Sequence, residues 1–292
     1  MQPTILVPLD GSAVGEDALP TAAMLARGMG ARLHLVHVHE GILLLYSSDL
    51  VIGGVPTLNT PIDEQCRSDE TAYLNQAAER LIADGHTVTT ALLSGPVDDA
   101  LAKAATTEQV ALIVMSTHAR GGAARTFMGN LGDALVRHTS IPLLLVHVQP
   151  APVPNPAPPF RHMLIALDGS PLAEQVLPIA QRIGSALGLE YTLLHITSPH
   201  SSGSELSAIQ QYLNGVAARL DAPADKVHTM MMAYRTPAEA IEIYAQNHGV
   251  DLVVMSTHGR GGLSRLVFGS VADAVIQATQ FPVLVYRPAL KL

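Results

Sequence analysis

Ile5-Leu6-Val7-Pro8-Leu9-Asp10-Gly11-Ser12 returns later in the chain as Met163-Leu164-Ile165-Ala166-Leu167-Asp168-Gly169-Ser170, so one segment is written twice. Ala111-Leu112-Ile113-Val114-Met115-Ser116-Thr117-His118 returns as Asp251-Leu252-Val253-Val254-Met255-Ser256-Thr257-His258. The first pair is offset by 158 positions and the second by 140, so the first copy carries about 18 extra residues between these anchors. Because His37-Val38 matches His195-Ile196 at the larger offset and Tyr73-Leu74-Asn75 matches Tyr212-Leu213-Asn214 at 139, the insertion lies between Val38 and Tyr73, in the loop after the second strand.

Short β-branched apolar runs alternate in each copy with longer segments of helical period, the pattern of a parallel sheet covered by helices on both faces. The first copy predicts strands near Thr4–Pro8, Arg32–Val38, Thr87–Leu93, Val110–Met115 and Pro142–Val148, with helices near Val14–Met29, Arg67–Ala83, Val97–Thr106 and Leu131–Arg137. The second copy predicts strands near His162–Leu167, Glu190–Ile196, Val227–Ala233, Leu252–Met255 and Pro282–Tyr286. The expected fold class is α/β, two tandem doubly wound domains, each with a five-stranded parallel sheet. Between the copies, Pro150 to Pro159 is rich in proline, which fixes φ and removes donors, so an extended connector is expected. The expected units are residues 1–149, a linker at 150–160, and residues 161–292.

Composition narrows the function. Seventeen basic residues against 25 acidic give a net charge of −8, which disfavours nucleic acid as a partner. The apolar runs fall short of the roughly 18 residues a membrane span requires, so no membrane helix is expected. The amino terminus lacks the features of an export signal, which makes the cytoplasm the expected location. The lone Cys66 cannot pair within the chain.

A doubly wound sheet binds ligands beyond the carboxyl ends of its strands, where strand order reverses, so the chemistry is expected after strands one and four. There the second copy has Ser256-Thr257-His258-Gly259, nine residues, then Gly269-Ser270 opening a helix with Val271. Unpaired N–H groups and the helix dipole make such a terminus a phosphate site, and the glycines allow close backbone approach. Each piece taken singly also reads as an ordinary turn and N-cap.

Together these segments resemble the universal stress protein family, whose ATP-binding members carry Gly-x-x-Gly, nine residues, then Gly followed by Ser or Thr. The second copy departs only in having Ser256 for the first glycine. The first copy reads Ser116-x-x-Ala119, nine residues, Gly129-Asn130, and departs at three positions. The resemblance covers nearly all of both copies and implies an adenine nucleotide alpha hydrolase-like fold with ATP, with or without Mg²⁺, as cofactor. It implies that Asp168 hydrogen-bonds the ribose or the adenine edge, with Leu167 and Ile196 flanking the base. Met255, Ser256, His258, Gly259, Gly269, Ser270 and Val271 complete the set. In the first copy Asp10, Leu9, Val38, Ser116 and Gly129 are the matching positions, in a motif expected to be degenerate. Both aspartates also suit plain helix entry.

Three functions follow from this pattern: a regulatory ATP-binding module of the stress response, an AMP-forming enzyme or slow ATPase on the same fold, and a module that acts through protein contacts alone. The chain has no Ser-Gly-Gly-x-Asp-Ser loop and no Gly-x-x-x-x-Gly-Lys loop, and no obvious base to position water, so the first is preferred. No catalytic residue and no metal ligand is assigned. Among side chains with weaker readings, His37 and His39 share a strand face but lack a carboxylate cluster in sequence, which favours a polar strand end over a metal patch. His34 lies on the other face. His118, His258, Arg120, Arg125, Arg260 and Arg265 border or fill the nine-residue segments and face either phosphate or water. Met230-Met231-Met232 reads as core.

The fifth strands, Ile141–Val148 and Phe281–Tyr286, are apolar and carry no interior charge, and a fifth strand lies at a sheet edge that invites pairing. Single-domain relatives commonly dimerise along this edge, which implies an intramolecular pseudo-dimer here, favoured by effective concentration. Larger homo-oligomers remain open through other surfaces.

Overall fold

A computed structural model describes residues 2–39, 61–117, 132, 135, 139–147, 159–257 and 269–287. In chain order the first half contains β1 (Thr4–Pro8), α1 (Ala13–Glu16), α2 (Ala18–Met29), β2 (Arg32–His39), α3 (Pro61–Ala83), β3 (Val88–Ser94), α4 (Val97–Thr107), β4 (Val110–Thr117) and β5 (Leu143–His147). The second half contains β6 (His162–Ala166), a 3-10 turn at Ala173–Val176, α5 (Leu177–Leu187), β7 (Glu190–Thr197), α6 (Gly203–Ala217), β8 (Val227–Ala233), α7 (Pro237–Asn247), β9 (Leu252–Ser256), α8 (Ser270–Ala278) and β10 (Val283–Tyr286).

The described strands form one sheet of order β3-β2-β1-β4-β5-β10-β9-β6-β7-β8. Pairing is parallel within each half and antiparallel only where β5 meets β10. Each half therefore has the doubly wound order 3-2-1-4-5. The central strands are apolar on both faces because helices cover both, whereas the edge strands β3 and β8 are only partly buried. Ile5, Val7, Leu144, Ile165 and Leu284 feed one core layer and Leu6, Ile113, Leu145, Leu164 and Val283 the other, so each layer runs through both halves. On one face α2 packs against α5 across the junction, where Gly28 leaves room for Leu187.

Three local expectations need correcting. The helix expected near Val14–Met29 is broken after Glu16, because Pro20 has no N–H to give the Glu16 carbonyl. Pro178 sits behind the same break in the second half. Helix α3 starts at Pro61 rather than near Arg67, with proline in its first turn and Asp63 and Glu64 at its positive end. Met230-Met231-Met232 is not simple core: it lies on the edge strand β8, with Met230 37% exposed and the other two half-buried. The expected helix at Leu131–Arg137 falls largely outside the described residues, as does the proline-rich stretch at 150–158.

Candidate functional site

The carboxyl ends of β6 and β9 lie side by side, with Ala166 opposite Met255. Leu167 continues the strand geometry past β6 by donating its N–H to the Leu194 carbonyl (2.9 Å). Asp168 then turns the chain: its Oδ1 accepts from the Ser170 N–H (2.9 Å), and Ser170 Oγ accepts from the Ala173 N–H (3.2 Å). Gly169 makes the turn possible at φ 82°. Beside it, β9 ends in buried Met255 and Ser256, whose hydroxyl donates to the Tyr286 carbonyl at 3.4 Å. Gly269 donates its N–H to the Thr257 carbonyl (2.7 Å), and a Cβ there would stand 2.6 Å from that oxygen. The glycine therefore serves an approach of the chain to itself, which pins the start of α8 to the end of β9. Ser270 is exposed in the first turn and Val271 is half-buried beside it. Ile196 lies half-buried at the end of β7. His258 and Gly259 lie outside the described residues, as do Arg260 and Arg265.

The first half repeats this frame. Asp10 Oδ1 accepts from both the Ser12 N–H (2.9 Å) and its hydroxyl (2.6 Å), and Ser12 caps α1 by accepting from the Gly15 N–H (3.0 Å). Gly11 holds φ 81°. Val38 is buried at the end of β2, and Ser116 at the end of β4 is buried with its hydroxyl unpartnered. Gly129, Asn130, Ala119, His118, Arg120 and Arg125 lie outside the described residues. Helix entry is thus a role the aspartates do perform, through side-chain turns rather than through charge alone.

Behind each aspartate stands a polar set that sequence reasoning passed over. Arg80 donates to Glu16 (2.8 Å), and Arg219 donates to Glu174 (2.6 Å). Tyr73 meets His37 edge-on at 6.5 Å between centroids, and Tyr212 meets His195 at 6.4 Å. Burial first, and then the neighbouring Glu16 or Glu174 carboxylate, push both phenols above their usual range. The repeat alignment that pairs Tyr73 with Tyr212 also pairs Arg80 with Arg219, and Glu16 follows Asp10 at the spacing by which Glu174 follows Asp168. The signal was present in sequence.

A carboxylate cluster does accompany His37 and His39, contrary to expectation, because α3 delivers it in space. His39 Nδ1 lies 2.8 Å from Glu70 and its Nε2 lies 2.9 Å from Asp63, while Arg67 Nε donates to the other Asp63 oxygen (2.9 Å). His37 Nδ1 donates to the Leu9 carbonyl (2.7 Å). Arg67 first, and then His39, hold the Asp63 carboxyl below its usual range. Among the described residues no group of His, Cys, Asp and Glu has the disposition of a metal site. His34, on the other face, lies 2.8 Å from the Thr89 hydroxyl.

The profile of the universal stress protein family matches residues 1–147 and again 159–287. The chain belongs to the universal stress protein family. A universal stress protein of Mycobacterium tuberculosis is 31% identical over 189 residues, covering 60% of this chain and 61% of its own length. The chain thus spans about three fifths of the first curated relatives it matches. A universal stress protein of Mycolicibacterium smegmatis is 26% identical over 97% of both chains. The crystal structure of an Archaeoglobus fulgidus universal stress protein superposes at a TM-score of 0.69 with 19% identity, covering 98% of this chain and 96% of that one, and so shares the fold. Among the described residues no helix is long and apolar enough to cross a membrane.

Proposed function

We propose that this universal stress protein is an ATP-binding regulator of the stress response, with the nucleotide held chiefly by the second half. The observation that supports this reading is the placement of two chain features at neighbouring strand ends: the Asp168 turn after β6, and the amino terminus of α8, which the Gly269–Thr257 bond fixes at the end of the adjacent β9. Asp168 would accept from the ribose hydroxyls or the adenine edge. The base would lie between Leu167 and Ile196, and the phosphates would meet the N–H groups of Ser270 and Val271, with Gly259 and His258 of the sequence motif adding contacts. Mg²⁺, where present, would neutralise phosphate charge. The first half, with Ala119 and Asn130 in its motif, would bind weakly or serve as a contact module. The division into units 1–149, 150–160 and 161–292 goes with this proposal, as does a self-contained pseudo-dimer of the two halves.

Nucleotide released from the purified full chain on denaturation tests the proposal, and about one ATP or ADP per chain is expected. Asp168→Ala should weaken ATP binding about tenfold or more, as loss of a hydrogen bond to a charged group does, while Asp10→Ala changes it little. Unchanged binding in Asp168→Ala at an equal melting temperature would return that residue to a purely structural turn.

A further inference from the structure

At the carboxyl end of β2, the His39 side chain is only 1% exposed and stands between two carboxylate oxygens, Glu70 Oε2 at 2.8 Å from Nδ1 and Asp63 Oδ1 at 2.9 Å from Nε2. An ionised carboxylate only accepts, so both contacts are hydrogen bonds only when both ring nitrogens carry hydrogen. A neutral imidazole has a single N–H. Whichever tautomer it takes, one contact becomes lone pair against lone pair at under 3 Å, in a place where water cannot relieve it.

The charged groups around the ring come mainly from α3. From α3, Asp63, Arg67, Glu70 and, one turn on, Tyr73 line this region. On its own strand His37 stands with Nε2 3.6 Å from Glu70. The neighbouring strand β3 pairs Ser94 with His39 and carries no charged side chain over Val88–Ser94. Glu16 and Asp10 act on Tyr73 from α1 and the end of β1, and Arg27 of α2 is engaged at the other end of the sheet with the Asp84 carbonyl. Asp63 and Glu70 against Arg67 and His39 form a neutral set only when the imidazole is charged.

We propose that His39 is a proton-operated clamp: as imidazolium it fastens the first turns of α3 to the carboxyl end of β2, and on losing its proton it lets them go. The clamp sits next to Val38, in the wall of the first half's crevice, and does not depend on the nucleotide reading. It belongs to the first half alone. Thr197 stands at the place of His39 in the second half, where the matching helix α6 is started by a capping box between Ser202 and Glu205. The chain therefore contains its own control.

Hydrogen exchange of the full chain, followed by mass spectrometry between about pH 5.5 and 8.5 and corrected for intrinsic rates, reads the clamp directly. Protection of residues 61–70 should fall about tenfold as pH rises, as loss of one charged hydrogen bond implies, while residues 203–212 stay level. In Glu70→Gln the amide can donate to the neutral ring, so protection should persist across the range. The His39 ring nitrogens, followed by ¹⁵N NMR in the wild type, should lose a proton over the interval in which protection falls. Level protection of 61–70 in the wild type, a fall equal to that of 203–212, or a ring that holds one protonation state while protection changes would each overturn the clamp.

Discussion

His147 ends β5 in a buried position, with Nδ1 3.1 Å from the Thr117 hydroxyl and Nε2 unpartnered, and burial pushes its imidazole down to about 4. The unfolded chain titrates near 6.5, so between these values the folded protein binds fewer protons than the unfolded one. The stability this neutral ring contributes is therefore full above about pH 6.5 and is lost as pH falls toward about 4. The loss is on the order of 3 kcal/mol at its limit. Urea unfolding near pH 7 and again near pH 4.5 should show a smaller acid loss in His147→Gln than in the wild type. Equal losses in the two proteins would mean that the ring is protonated at no cost.

At the scale of elements, Tyr191 on β7 and Gly184 on α5 are a matched pair, because a Cβ at Gly184 would collide with the tyrosine ring and its hydroxyl. The first half solves the same packing with Ala26 and Leu33, both buried. Gly184→Ala should therefore cost about 1–3 kcal/mol through overpacking, and adding Tyr191→Leu should recover part of it. A thermal unfolding series of the two single variants and the double decides this, and strict additivity would refute the pairing. Such exchanges explain what sequence could and could not convey. Strand positions were legible to within about two residues because apolar runs on a sheet covered on both faces admit few alternatives. The break before α2 was not, although Pro20 marked it. Nor was the His39 cluster, since its acids stand 24 and 31 positions away along the chain and only the fold brings them together. Gln109, at φ 49°, occupies the turn that Gly249 occupies at φ 63° in the second half, and a glutamine gives no local sign of a left-handed backbone. At the site, the aspartate turns and the glycine before α8 were readable as motifs. The use of Gly269 against Thr257 was not, because it is a contact between distant backbone atoms.

Over the whole molecule, the two halves meet along β5 and β10, where Leu144 lies opposite Leu284, Leu145 opposite Val283 and Leu143 opposite Val285. Leu144 and Leu284 are both essentially fully buried, and each contributes about 1.5–3 kcal/mol on that account. Charged substitution at both positions should open the junction and speed protease cleavage within residues 148–158, with the cleaved halves separating on a sizing column. Cleavage at the wild-type rate would show that α2, α5 and the rest of the junction hold without these strands. The register has a further consequence. Leu144 and Leu284 are equivalent positions of the repeat, so the duplicated strand meets its own duplicate about a centre located at that one residue. A strand with this property is its own complement: one copy of it carries both sides of the contact. With both copies in one chain, a substitution in one of them changes only one side of the axis.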